Sequence, residues 1–148
     1  MNQVEIHQIT HLPPLILTLE KEAAAEGFRF LTRLIEEWKS GKNRFDAPGE
    51  CLMAVYLGHC LIGIGGLSVD PHTQSHTARL RRVYIATSFR GQRIGQALVK
   101  ALVEYAAHHF QIVRLSTDTP AGNAFYMRCG FNRSGDAHAT HTMLLRNV

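Results

Sequence analysis

Ile94, Ala97, Leu98, Ala101, Leu102 and Tyr105 fall at i, i+3, i+4, i+7, i+8 and i+11, the spacing that gathers apolar residues on one side of an α-helix. Leu12, Leu15, Ile16, Leu19 and Ala23 keep the same spacing, as do Phe28, Leu31, Leu34, Ile35 and Trp38 after the break at Gly27. They predict two shorter helices, entered at Pro13-Pro14 and ending near Ser40-Gly41. Val4 to Ile9 alternates apolar and polar residues and reads as a strand. Cys51 to Leu57 is almost wholly apolar, and Leu61 to Val69 is apolar again after Gly58-His59, which predicts an antiparallel hairpin.

Ser68 to Thr77, with Asp70, Pro71 and small polar residues, reads as a loop leading to a strand over Arg79–Ile85. Leu80, Val83 and Ile85 do not keep a period of two, and a β-bulge near Arg81-Arg82 would reconcile them. Ile112–Thr117 reads as a strand and Pro120–Cys129 as a short helix stopped by Gly130. Phe131 and Thr140–Leu145 read as closing strands. Helices come early, strands in the middle, then β-α-β-α-β, with no repeat or linker, so residues 1–148 are expected to form one domain around one site.

Hydrophobic residues make up 45% and charged residues 19% of the chain, a balance that excludes disorder and a membrane-span composition. Cys51, Cys60 and Cys129 form no Cys-x-x-Cys pair, which argues against a disulfide framework or zinc knuckle. The N-terminus opens with Asn2, Gln3 and Glu5 and shows no signal-peptide pattern, so the cytoplasm is the expected location. A net charge of +4 favours an anionic ligand and is modest for a nucleic-acid binder; neither nucleic acid nor membrane is expected as a partner. His72 and His76 with Asp70, or His138 with His141, lie on loop or strand segments rather than one helix face, so no metal site is expected.

The chemistry concentrates where a strand ends at Ile85, a short loop turns, and the long helix begins at Ile94. The first amides of a helix lack partners and sit at the positive end of its dipole, a ready anion site. Gly91 and Gly95 allow close approach, and Arg90 and Arg93 add charge. No Gly-Lys-Ser/Thr and no Gly-x-Gly-x-x-Gly occurs at this junction, which removes the P-loop and dinucleotide alternatives.

Arg90-Gly91-Gln92-Arg93-Ile94-Gly95 resembles the Arg/Gln-x-x-Gly-x-Gly/Ala pyrophosphate signature of the GNAT superfamily of N-acetyltransferases, with Arg93 in place of the middle glycine. Asn123-Ala124-Phe125-Tyr126-Met127-Arg128-Cys129-Gly130-Phe131 is similar to that family's later motif, with a shorter Asn-to-Tyr spacing. The resemblance implies a mixed α/β (α+β), mostly antiparallel sheet with a splayed, bulged central strand and about four helices. It also implies acetyl-CoA as co-substrate, an amine acceptor, and a homodimer as an option.

By the same resemblance, Val83 and Ile85 would hold the pantetheine arm through backbone groups, and the amides of Gly91, Gln92, Arg93, Ile94, Gly95 and Gln96 would hold the pyrophosphate beside Arg90. Asn123 would bond the cofactor, and Tyr126 would assist the departing thiolate. A phenol of pKa about 10 protonating a thiolate of about 8.5 is uphill by roughly 2 kcal/mol, so a hydrogen bond is the firmer expectation. Many relatives carry a glutamate base on the central strand, but Ala78 to Arg82 offers no carboxylate. Asp70, His72, His76, Asp118 and a water chain stay open as alternatives. The competing functions are a non-catalytic acyl-CoA sensor, a transferase of another acyl-CoA, and nucleic-acid binding through Arg79, Arg81, Arg82, Arg90 and Arg93.

Overall fold

The computed structural model describes residues 3–73 and 76–145; Gln74 and Ser75 of the expected Ser68–Thr77 loop, with 1, 2 and 146–148, lie outside the described residues. The elements run β1 (Val4–Ile9), α1 (Ile16–Ala25), α2 (Phe30–Ser40), β2 (Cys51–Leu57), β3 (Cys60–Val69), β4 (Thr77–Ile85), α3 (Ile94–Ala106), β5 (Ile112–Leu115), α4 (Pro120–Arg128), β6 (Asn132–Arg133) and β7 (His141–Leu144). They form a sheet in the order β1-β2-β3-β4-β5-β7-β6, in which only the β4–β5 pair is parallel. Among the described residues no helix is long and apolar enough to cross a membrane.

The unbroken apolar run of β2 has a simple cause: both faces of the sheet are covered. Cys51, Met53 and Val55 join Leu98 and Leu102 of α3 in one core, while Leu52 and Ala54 join Leu19, Leu31 and Leu34 of α1 and α2 in a second. Leu98 and Leu102 are fully buried, each worth roughly 1.5–3 kcal/mol of hydrophobic stabilisation. Gly65 lets α3 come close, because a Cβ there would lie 3.1 Å from a Leu102 methyl and 3.2 Å from a Leu98 methyl. Gly41, at φ 78°, closes α2 in the left-handed conformation that glycine adopts without penalty.

The expected bulge is present and sits at Arg82-Val83. Ile64 pairs with Tyr84 and Gly66 with Arg81, so Gly65 faces one residue too many, and Arg82 absorbs the excess at φ 60°. Several boundaries differ from the sequence reading. β4 begins at Thr77 rather than Arg79, because Thr77 pairs with Ile112. β5 stops at Leu115 rather than Thr117, whose N–H instead donates to Thr140 Oγ1 at 3.0 Å. The strand expected at Phe131 is Asn132–Arg133, and Phe131 itself is buried in the α3 core.

Candidate functional site

β4 and β5 pair only from Thr77 to Arg79 and from Ile112 to Arg114. Beyond these three rungs the strands carry no mutual ladder, and a cleft of about 1170 Å³ opens between them. Of the residues singled out in the sequence, Val83, Ile85, Arg90, Gly91, Arg93, Ile94, Gly95, Gln96 and Tyr126 line this cleft, whereas Gln92 and Asn123 do not. Ala86 N–H donates to Ile62 across the β3–β4 ladder at 2.8 Å. Alternation along the strand therefore turns the Ile85 N–H the other way, toward the gap.

At one end of the cleft stands the start of α3. Arg93 occupies its N-cap at φ 64°, ψ 14°, with no side-chain cap. A non-glycine residue there costs on the order of 1–2 kcal/mol, and the arginine adopts it nonetheless. Among the described residues, the N–H groups of Gly91 to Gln96 donate to no protein acceptor, and the first intrahelical bond is Ala97 N–H to the Arg93 carbonyl at 3.1 Å. Gly95 is needed for packing as well as access, since a Cβ would meet the Phe125 ring at 3.1 Å.

Arg90 is engaged elsewhere than its charge alone implies. Its two terminal nitrogens meet Glu26 Oε1 and Oε2 at 2.7 and 2.9 Å, its Nε donates to the Ile85 carbonyl at 2.9 Å, and its guanidinium lies over the Tyr84 ring at 5.1 Å. Tyr84 Oη contacts Glu22 and Glu26 at 2.8 and 2.5 Å, and Glu22 also accepts from the Thr87 N–H and hydroxyl. Arg90 holds the Glu26 carboxyl below its ordinary pKa, against the upward push of burial. Glu22 of α1 and Glu26 at its C-cap thus fasten the loop before α3. No local signal in the sequence marked them, because their partners lie some 60 residues away.

Tyr126 projects from α4, which is started by Pro120 and by the Thr119 hydroxyl accepting the Gly122 N–H at 2.9 Å. Its ring packs edge-on against Phe125 and Phe131. Burial raises the phenol pKa well above its ordinary value, and among the described residues its hydroxyl has no hydrogen-bond partner. Asn123, one turn earlier, is engaged within the protein: its Oδ1 lies 2.8 Å from His141 Nε2, and His141 Nδ1 lies 2.8 Å from the Thr140 hydroxyl. Burial, then nearby Arg133, lower the His141 pKa. A neutral imidazole protonated at Nε2 satisfies both contacts, donating to Asn123 and accepting from Thr140. The pair ties α4 to β7.

Of the groups considered for accepting a proton, His72 and Asp118 line the cleft. Asp70 is fully buried, with Arg114 Nε at 3.3 Å from its carboxylate, and the His76 carbonyl receives the Gln111 N–H. The His72 ring stacks on His138 with centroids 3.9 Å apart. The cleft is also walled by Phe28, Phe30 and Arg33, with Arg79, Arg81 and Arg82 on β4.

A V-shaped opening in the middle of a mostly antiparallel sheet, with an uncapped helix start at its edge, matches the expected architecture. The acetyltransferase (GNAT) family matches residues 16–131, and the chain belongs to that family. A crystal structure from an Exiguobacterium species superposes with a TM-score of 0.86 at 22% identity, covering 96% of this chain and 93% of that one. An acetyltransferase from Streptococcus agalactiae gives 0.75 at 16% identity, covering 96% and 98%. The N-acetylaspartate synthetases of mouse and human are each 30% identical over 91 residues, which is 60% of this chain and 30% of theirs. The chain thus matches less than a third of the length of these curated relatives.

Proposed function

We propose that the chain is an N-acetyltransferase that moves the acetyl group of acetyl-CoA to a primary amine by direct attack. The observation that carries this reading is the continuity of the cleft, from the free amides at the start of α3, along the unpaired side of β4, to the hydroxyl of Tyr126. Six unpartnered N–H groups at a helix N-terminus suit a pyrophosphate, and the splayed strand offers backbone groups to an amide-bearing arm. Acetyl-CoA supplies the acetyl thioester. The Ile85 N–H faces the gap, where it can donate to the carbonyl oxygen as negative charge develops, a contribution of about 3 kcal/mol for a well-aimed donor. Tyr126 donates a hydrogen bond to the departing thiolate, and its raised pKa keeps that donor protonated. His72 and Asp118 are the groups available on the cleft wall to take the amine proton. Arg90 acts mainly by fixing the loop through Glu26.

The name of the mammalian relatives, N-acetylaspartate synthetase, places aspartate among the amines to try. Thermal unfolding with acetyl-CoA, and with NAD and ATP as phosphate-bearing controls, tests the reading. Ligand at a hundredfold its Kd stabilises by about 2.7 kcal/mol, so a selective rise is expected. An equal rise with all three, or none, would move the function to a non-catalytic or nucleic-acid-binding class.

A further inference from the structure

The arginines on and beside this part of the cleft wall outnumber their partners. Arg114 is paired with Asp70 and Asp136, and Arg82 Nη2 with Glu37 at 3.1 Å. Arg79 Nη2 donates to Ser116 at 2.9 Å, while its Nη1 stands 4.0 Å from Asp70. That leaves Arg81 of β4 and Arg33 of α2, neither of whose side chains makes an ion pair or hydrogen bond among the described residues. Buried nitrogens are also unmatched: Arg79 Nη1, Arg81 Nε and Arg82 Nε find no hydrogen-bond partner among the described residues. A half-buried guanidinium without a counter-charge is costly to hold. Burial, then Arg82 and Arg79, press the Arg81 pKa downward, and the more distant charges of Glu37 and Asp70 offset this only in part.

From this cluster, which lines the same cleft as Tyr126, we infer that the acceptor is a small anionic amine whose oxyanion, a carboxylate or a phosphate, is held by Arg81 together with Arg33. The inference rests on the acetyl-transfer reading for the word acceptor, but the anion site stands on the arginines alone. Guanidinium donors fit both planar carboxylates and phosphates. Phe28 and Phe30, whose rings lie 5.6 Å apart, line the same cleft with apolar surface suited to a short aliphatic spacer.

The test measures ligand-induced shifts in the unfolding midpoint at constant ionic strength, with and without saturating coenzyme A, for pairs blocked as α-carboxamides so that the side-chain acid is the one oxyanion varied: glutamate against glutamine, aspartate against asparagine, and phosphoserine against serine. At least one anionic member is expected to bind about tenfold more tightly than its neutral partner, with coenzyme A present. The pair that responds identifies the oxyanion. Arg81→Gln should abolish that preference and Arg81→Lys should retain part of it, while both keep the wild-type response to acetyl-CoA. Equal shifts within every pair, no shift with any amine, an undiminished preference in Arg81→Gln, or a preference that vanishes once coenzyme A is bound would each overturn the inference. Failure of acetyl-CoA to shift wild-type protein that still prefers the anionic amine would strike the acetyl-transfer reading and leave the anion site standing.

Discussion

Arg90 and Glu26 face each other as two forks, with each terminal guanidinium nitrogen on one carboxylate oxygen, at 2.7 and 2.9 Å. The contact pins the loop before α3 to the end of α1. Both side chains are partly exposed, so the pair is expected to contribute about 1 kcal/mol of stability. Glu26→Gln should therefore lower the unfolding free energy by about that amount and also weaken acetyl-CoA binding without touching the ligand. Because the folded carboxyl is held below its unfolded pKa of 4.5, its stabilisation is fully present above that value and lost as pH falls through the lower, folded one. Urea titrations from pH 7 to pH 3 should show the wild type and Glu26→Gln converging only below about pH 4.5.

Tyr126→Phe removes a hydroxyl with no internal partner among the described residues, so the fold should tolerate it. A hydrogen bond to a charged leaving group is worth about 1.5–3 kcal/mol. Turnover should fall by about ten- to a hundredfold while the Kd for acetyl-CoA changes by less than about twofold. Steady-state kinetics paired with calorimetry check this. A fall in affinity matching the fall in turnover would make Tyr126 a binding residue only.

Arg93 holds a left-handed backbone at the N-cap of α3. Arg93→Gly should raise the unfolding free energy by about 1 kcal/mol, since glycine adopts that conformation freely. Arg93→Ala keeps the strain and should show no such gain. If the side chain contributes charge to the phosphate site, both variants will bind acetyl-CoA more weakly and with a shallower salt dependence.

His141 is buried with a lowered pKa, so the unfolded chain takes up the proton first as the solution is acidified. Its contribution is present above the unfolded value of 6.5 and drains away as pH falls through the folded one. Protonating Nδ1 would also cost the hydrogen bond from Thr140. The wild type should lose stability between about pH 7 and pH 5 more steeply than His141→Gln, as read from denaturant midpoints. Asn123→Ala, which unties α4 from the same histidine, should lower turnover by displacing Tyr126 and leave the Kd for acetyl-CoA nearly unchanged.

The long stripe of α3 was readable because one face packs on the sheet while the other meets solvent, so burial imprints a helical period. β2 was readable as a strand but not by face, since covering both sides erases alternation. β6 was legible only through the apolar Phe131 beside it, because its own residues, Asn132 and Arg133, are exposed and pair with Thr142 and His141 at the rim of the sheet. The loop with the free amides was legible because backbone geometry demanded glycines close together in sequence. Glu22 and Glu26 were not, because a charge on a solvated helix face looks the same whether or not a distant arginine comes to meet it. Asn123 was read from a motif, yet its contact depends on His141, which only the β5–β7 pairing brings near.

The three-rung junction between β4 and β5 makes the protein a filter by thickness. Neighbouring strands lie about 4.8 Å apart, so a wedge that starts from closed pairing admits a slender chain at its narrow end and refuses anything globular. Along that interior edge, from Leu80 to Ile85, the sequence has the Arg82 bulge and two arginines but neither of the other devices that protect outer edges, proline and lysine. Concealment does the work instead: the walls of the V keep other strands out, and a thin guest with amides spaced along its length can use an edge that another protein cannot reach.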